Sequence, residues 1–399
     1  MRFTGLLAIA AASVGSAMAQ DALILGFNSG ATTDTGAAKT QADFEKEFRT
    51  AQNLDGAPGN FNTIRLYSNI QAGTTDTPIA AFAAAIATQT KLLLGVWASG
   101  TDNIDNELTA LTSAVSEYGT RLTDLVVGLS IGSEDLYRVS ESGIRNKSGV
   151  GNSAEVIVRF IKDARSKLQN TPLSGVKITH VDTWTAWVNT SNKAVIDEID
   201  FLSVNAFPFY ESERDNQISN AAALLSSGLS ATEGVAGGKD VWITETGWAY
   251  SGPAFGAAEA TVSNAGKYWQ EVGCAIFGKK NVFWYTLRDA NPANEVKFAI
   301  TDDLSTTPRY NLTCPAEKDL PTPSPTGSSN TSTGTNSSSG GSSQSTGSVR
   351  PNGNTTLSGG ASPSGSSPAT STTNAGSMAV VNSMALALSV VFAVGTLAL

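Results

Sequence analysis

The chain has 399 residues, far above the common domain size of about 100 to 150, so it holds either two domains or one large one. Its formal net charge of −9, from 26 Lys+Arg against 35 Asp+Glu, repels a phosphate backbone and argues against nucleic acid as a partner; a neutral polymer fits better. A single histidine, His180, excludes a multi-histidine metal site and leaves carboxylates as the default chemistry, with no metal or other cofactor expected.

Residues 1–19 carry Arg2, an apolar run from Leu6 to Val14 and Ala17-Met18-Ala19 before Gln20, the pattern of a secretory signal with a small-residue cleavage site. The body, residues 20–316, then alternates short apolar runs with segments of helical period. Eight strands are predicted: Ala22 to Phe27, Thr63 to Tyr67, Lys91 to Trp97, Leu125 to Ile131, Val176 to Val181, Phe201 to Asn205, Asp240 to Thr244 and Asn281 to Thr286. Between them, Thr77 to Thr90, Asn106 to Glu117, Ala154 to Leu168 and Ala258 to Val272 repeat apolar residues at three and four. Eight strand-helix repeats predict a parallel sheet closed into a (β/α)8 TIM barrel, with catalytic residues at the C-terminal ends of the strands. The alternative, an open doubly wound sheet, usually carries a nucleotide-binding glycine pattern after its first strand, and Gly26-Phe27-Asn28-Ser29-Gly30 has the wrong spacing.

Cys274 and Cys314 form an even count in a chain addressed to an oxidising compartment, so a disulfide is expected. Closing a loop of about 40 residues restricts the unfolded chain by roughly 4 kcal/mol in the entropy account. Residues 317–374 are dominated by Ser, Thr, Gly, Asn and Pro and cannot bury a core, which predicts a disordered, glycosylated stalk. Sequons stand at Asn330, Asn336 and Asn354 in the stalk and at Asn146, Asn189 and Asn311 in the body. Residues 375–399 end in an apolar tail with no basic flank after small residues. That pattern predicts a GPI-attachment propeptide, with Asn374 as the attachment residue and the outer face of the cell membrane or the cell wall as the destination; a C-terminal transmembrane helix is the competing reading.

Two glutamates end predicted strands. Glu134 closes the apolar run from Leu125, and Glu245 follows Val241-Trp242-Ile243-Thr244. At about 37 residues per βα unit, Glu245 lies three units beyond Glu134, which assigns the pair to strands 4 and 7, facing one another across the barrel mouth. Two carboxyls so placed are what retaining glycoside cleavage needs, one donating a proton to the leaving oxygen and the other attacking the anomeric carbon. Asp135 could raise the pKa of Glu134 or could point to solvent; Thr244 and Thr246 are candidate hydrogen-bond donors to Glu245. Tyr67, Trp97, Trp184, Tyr210, Trp248 and Trp284 could stack on sugar rings or simply pack the barrel, with Tyr67 and Trp248 favoured as platforms. His180, beside Asp182, is expected to satisfy a local hydrogen bond rather than line the cleft.

Through Gly26-Phe27-Asn28-Ser29-Gly30, Arg65-Leu66-Tyr67, Gly128 to Arg138, Val204-Asn205-Ala206-Phe207-Pro208 and Trp242 to Trp248, the body resembles fungal members of glycoside hydrolase family 17. These are endo-β-1,3-glucanases and related cell-wall glucanosyltransferases. The resemblance implies Glu134 as acid/base, Glu245 as nucleophile, retention of anomeric configuration and β-1,3-glucan as the partner of a monomeric enzyme. Tyr67, Ser133, Asn205, Phe207, Tyr210 and Trp248 are the expected substrate contacts. Ser133 stands where many relatives have asparagine, Ala249 replaces a common proline, and Phe207 stands where plant relatives often have tyrosine. A glucan-binding wall protein without activity is the non-enzymatic alternative.

Overall fold

A computed structural model describes residues 23–315 and 318–322. The expected signal peptide, the stalk from residue 323 on, the sequons at Asn330, Asn336 and Asn354, and the attachment residue Asn374 lie outside the described residues.

Eight parallel strands close into a barrel in sequence order. They are β1 (Leu25–Ser29), β2 (Thr63–Leu66), β3 (Lys91–Val96), β4 (Val126–Ser133), β5 (Ile178–Thr183), β6 (Leu202–Asn205), β7 (Val241–Thr246) and β8 (Val282–Trp284), with β1 pairing to both β2 and β8. The strands are almost wholly buried, as parallel strands covered by helices must be. The helix Gln41–Gln52 begins at a reciprocal cap between Thr40 and Asp43 and turns Phe44, Phe48 and Ala51 inward. The helix Ala154–Leu168 does the same with Ile157, Phe160, Ile161, Ala164 and Leu168.

The apolar interior has two parts. A large cluster fills the layer between sheet and helices. A small one, Leu93, Phe201, Trp242 and Phe283, plugs the N-terminal floor of the barrel, with the Phe201 and Trp242 rings 4.1 Å apart. Gly26 is required beside that plug, because a side chain there would meet the Thr63 carbonyl and the Phe283 ring.

Several predicted boundaries shift. The first strand runs Leu25–Ser29 rather than Ala22 to Phe27: Leu23 is exposed, whereas the polar Asn28 and Ser29 are buried. The segment expected as helix from Thr77 is extended at Pro78, which bridges Ile70, and the helix is Ala81–Thr88. The last long helix starts at Val262, where Thr261 caps it, and widens into a π-helical turn over Trp269–Gly273. Cys274 and Cys314 are joined by a disulfide with a Cα–Cα distance of 5.4 Å. It ties that turn to the chain leaving the barrel, alongside the hydrogen bond from Trp269 Nε1 to the Leu312 carbonyl.

β4 is the irregular strand. Its register against β5 breaks between Ser130 and Ser133, Gly132 takes a φ of 79°, and Glu134, the next residue after the strand, has a φ of 60°. A non-glycine residue in this left-handed region sacrifices roughly 1 to 2 kcal/mol. The strain is held by the Glu134 amide donating to the Val181 carbonyl at 2.8 Å and the Glu134 carbonyl accepting from the Arg138 amide at 3.0 Å.

Candidate active site

Above the apolar floor the barrel interior turns polar. Arg65 of β2, wholly buried, sends one guanidinium nitrogen to Glu245 Oε1 at 2.5 Å and to Asn28 Oδ1 at 2.8 Å, and the other to Ser133 Oγ at 2.9 Å. Asn28 is itself oriented by donating to the carbonyls of Thr244, Phe283 and Trp284. The Tyr67 hydroxyl donates to the same Glu245 oxygen at 2.9 Å. Burial first, and then the neighbouring Glu245 charge, holds the Tyr67 phenol well above its usual pKa, so it stays a donor. Two donors, one of them a cation, thus hold Glu245, and both bind Oε1. Its other oxygen is left without a partner among the described residues.

Glu134 has the opposite surroundings. Burial, and next the charge of Glu245, push its carboxyl up to about 7, against the pull of Arg138 and the Asn205 amide. Asn205 Nδ2 donates to Glu134 Oε1 at 2.9 Å, and the amide is kept that way round because its Oδ1 accepts from the Thr244 hydroxyl at 2.9 Å. Oε2 is then available to carry the proton. Two carboxyls at one mouth, one raised toward neutrality and one held by a cation, are an arrangement that can supply both a proton donor and a nucleophile.

Two cavities flank the pair. One, of about 160 Å³, lies on the half of the mouth built from β4 to β7 and is lined by Glu134 with Tyr137, Trp184, Phe207, Tyr210 and Phe255. The other, of about 350 Å³, lies over β8 to β3 and is walled largely by small residues, with Tyr67 and Trp97. Two residues lining the first, Tyr210 and Glu211, each have a buried oxygen, Oη and Oε1, with no hydrogen-bond partner among the described residues.

The structure therefore brings Tyr67, Ser133, Glu134, Asn205, Phe207, Tyr210 and Glu245 to one mouth. It does not bring Trp248. That ring, 2% exposed, packs against Phe209 and Tyr268 with Nε1 bonded to the Glu259 carbonyl, and Trp284 is equally buried. The tryptophans that line the cavities are Trp97 and Trp184 instead. Thr244 and Thr246 do not serve Glu245; Thr244 orients Asn205 and Thr246 bonds the Tyr268 hydroxyl. Asp135 is not solvated, and the leading causes of the shift in Glu134 lie elsewhere: it is fully buried, accepting from Ser99, Asn152 and the Ser133 amide. Asn146, half-buried, lines the smaller cavity, while the sequons at Asn189 and Asn311 are exposed. Arg65 and Asn28 carry no assigned role in the sequence reading. An arginine inside an apolar strand was the available signal.

Comparison with known proteins agrees with this fold. The family described as the BtgE/BtgC glycoside hydrolase domain matches residues 26–300. A probable glucan endo-1,3-beta-glucosidase of Aspergillus fumigatus is 50% identical over 318 residues, covering 79% of this chain and 70% of that protein. A protein of the same description from Aspergillus oryzae is 49% identical over 316 residues, covering 79% and 67%. Among solved structures, a glycoside hydrolase family 17 beta-1,3-glucanosyltransferase from Rhizomucor miehei superposes with a TM-score of 0.58 at 25% identity, covering 73% of this chain and 98% of that one. A beta-1,3-glucanase and allergen of Cryptomeria japonica pollen shares the fold at a TM-score of 0.53 and 14% identity, covering 73% and 98%. With the matching domain spanning most of the barrel, the chain belongs to the BtgE/BtgC glycoside hydrolase family and is a glycoside hydrolase.

Proposed function

We propose that this chain is a glucan endo-1,3-β-glucosidase that cleaves β-1,3-glucan of the fungal cell wall with retention of configuration. Glu134 serves as acid/base and Glu245 as nucleophile. The observation that carries this reading is the opposite environment of the two carboxyls, one raised to about 7 by burial and the other bonded by Arg65 and Tyr67. In the first step Glu134 gives its proton to the glycosidic oxygen while Glu245 attacks the anomeric carbon through the oxygen that Arg65 and Tyr67 leave free. In the second, the Glu134 carboxylate takes a proton from water as water displaces Glu245 from that carbon, which restores both groups. The open cavities on both sides of the pair suit cleavage within a chain rather than at its end. The enzyme acts as a monomer, secreted through its leader and tethered through a GPI lipid at Asn374.

A second reading, transfer of the glycosyl group to another glucan chain, is favoured by the aromatic lining of the cavity beside Glu134, where an acceptor would stack and compete with water. A glucan-binding role without catalysis is disfavoured, because binding alone gives no reason for two carboxyls held in such opposite surroundings. Incubation with β-1,3-gluco-oligosaccharides of reduced end, followed by mass over time, separates these. Shorter products alone mean hydrolysis, products longer than the substrate mean transfer, and an unchanged substrate that still binds contradicts the enzymatic reading.

A further inference from the structure

Beneath the turn that carries Glu134 lies a sealed set of four ionisable side chains: His180 and Asp182 of β5, and Asp135 and Arg138 from the segment after β4. His180 Nδ1 is 2.6 Å from the Ile131 carbonyl oxygen and Nε2 is 2.9 Å from Asp182 Oδ2. A carbonyl only accepts, so Nδ1 carries a hydrogen. Asp182 is ringed by donors, the Leu136 amide at 2.9 Å on Oδ2 and the Thr183 amide at 2.7 Å on Oδ1, which is the setting of an ionised acceptor. Nε2 then carries a hydrogen as well. We propose that His180 is a permanently charged positioning residue for Glu134, an imidazolium that clamps the strained turn from both sides by binding Ile131 ahead of it and, through Asp182, Leu136 behind it.

The surroundings fit a buried cation. Asp135 and Asp182 are balanced by His180 and Arg138, and the neutral edge of Trp187 lies against the imidazole, 5.8 Å away between centroids. Arg138 donates to the Ser133 carbonyl at 2.7 Å and Asp135 accepts from the Ser133 amide at 3.0 Å, so the peptide units ahead of Glu134 are gripped by the same set. The imidazole also occupies the space of a missing side chain: a Cβ on Gly132 would lie 3.1 Å from its ring atoms and would also meet Asp135. Burial alone would lower the imidazole pKa; the bond to Asp182 and the charges of Asp182 and Asp135 outweigh it, and the net direction is up. A neutral imidazole would leave either the Ile131 carbonyl or the Asp182 carboxylate short of a donor in the interior.

Because the chain has one histidine, nitrogen-15 NMR of the imidazole-labelled full chain gives one pair of ring signals without assignment. Both nitrogens are expected to report the protonated state, unchanged from pH 5 to pH 8. A signal that titrates near the ordinary histidine value of about 6.5 overturns the proposal. In His180→Asn and Asp182→Asn, kcat is expected to fall about 100-fold with KM within a few-fold, the signature of a misplaced acid rather than lost binding. In His180→Asn the Asp182 charge, which raises Glu134, also loses its counter-ion, so the alkaline limb of kcat/KM moves to higher pH. Folded variants with full kcat and an unmoved limb overturn it. If a variant does not fold, the NMR signal of the parent chain still decides. The inference rests on Glu134 being the acid, and the two fail separately: a parent chain inert toward β-1,3-glucan sinks the proposed function, whereas an active parent whose imidazole titrates sinks this one.

Discussion

At the floor of the barrel Leu93, Phe201, Trp242 and Phe283 close the interior with apolar surface, while nearer the C-terminal ends of the strands Asn28, Arg65, Asn205 and Glu245 fill it with polar groups. The floor gains stability mainly from burial, about 1.5 to 3 kcal/mol for each large side chain, and tolerates apolar exchanges that conserve its volume. The mouth has no such latitude. Every charge there is desolvated, so each must meet a named partner, and the partners give the two carboxyls opposite surroundings. One closed sheet therefore separates stability from chemistry along its axis.

Substitutions at the two ends test that separation. Glu245→Gln, with its shape kept, is expected to lower turnover about 10⁴-fold, read as reducing ends released from β-1,3-glucan, in a chain that still folds but melts lower because the buried Arg65 loses its counter-ion. Phe201→Ala at the floor should do the reverse. Urea unfolding is expected to show a loss of about 3 to 5 kcal/mol, while the folded enzyme keeps the pH profile of the parent; a shifted profile would break the division between floor and mouth.

The third test joins the two ends through pH. Burial raises the folded-state pKa of Glu134 from 4.5 to about 7, so the folded chain holds this proton more tightly than the unfolded chain. The associated stability is complete below pH 4.5 and is lost as pH rises through about 7, on the order of 3 kcal/mol in all. Glu134→Gln should therefore be inactive yet more stable than the parent at pH 8, by chemical denaturation, and should lose that advantage at pH 4. Equal stability of the two at pH 8 would mean that the raised pKa is not there. The smallest effect is expected at the rim, where Trp184→Ala should weaken KM for long oligosaccharides by about 1 kcal/mol and leave kcat nearly unchanged.

Much of this was legible in the sequence because it follows from period and spacing. Eight apolar runs at regular intervals predict the barrel, and two glutamates three units apart predict β4 and β7. What escaped depends on contacts between strands distant in sequence. Trp248 beside Glu245 reads as a sugar platform, yet the turn after β7 swings it into the core against Phe209 and Tyr268; a tryptophan next to a strand end looks the same in either place. Asp135 reads as the neighbour that tunes Glu134, but the left-handed turn at Glu134 sends the two side chains to different partners, and Glu245 and Asp182 supply the charge. Arg65 hides in an apolar run because its guanidinium is paid for by Glu245, Asn28 and Ser133, none of them near it in the chain.

The most direct test of the paired-carboxyl account is the stereochemistry of cleavage. Proton NMR of β-1,3-gluco-oligosaccharide hydrolysis, recorded before mutarotation, should show the β-anomer of the new reducing end appearing first, as double displacement through Glu245 requires. An α-anomer formed first would mean direct displacement by water and would contradict the assignment of Glu245 as nucleophile.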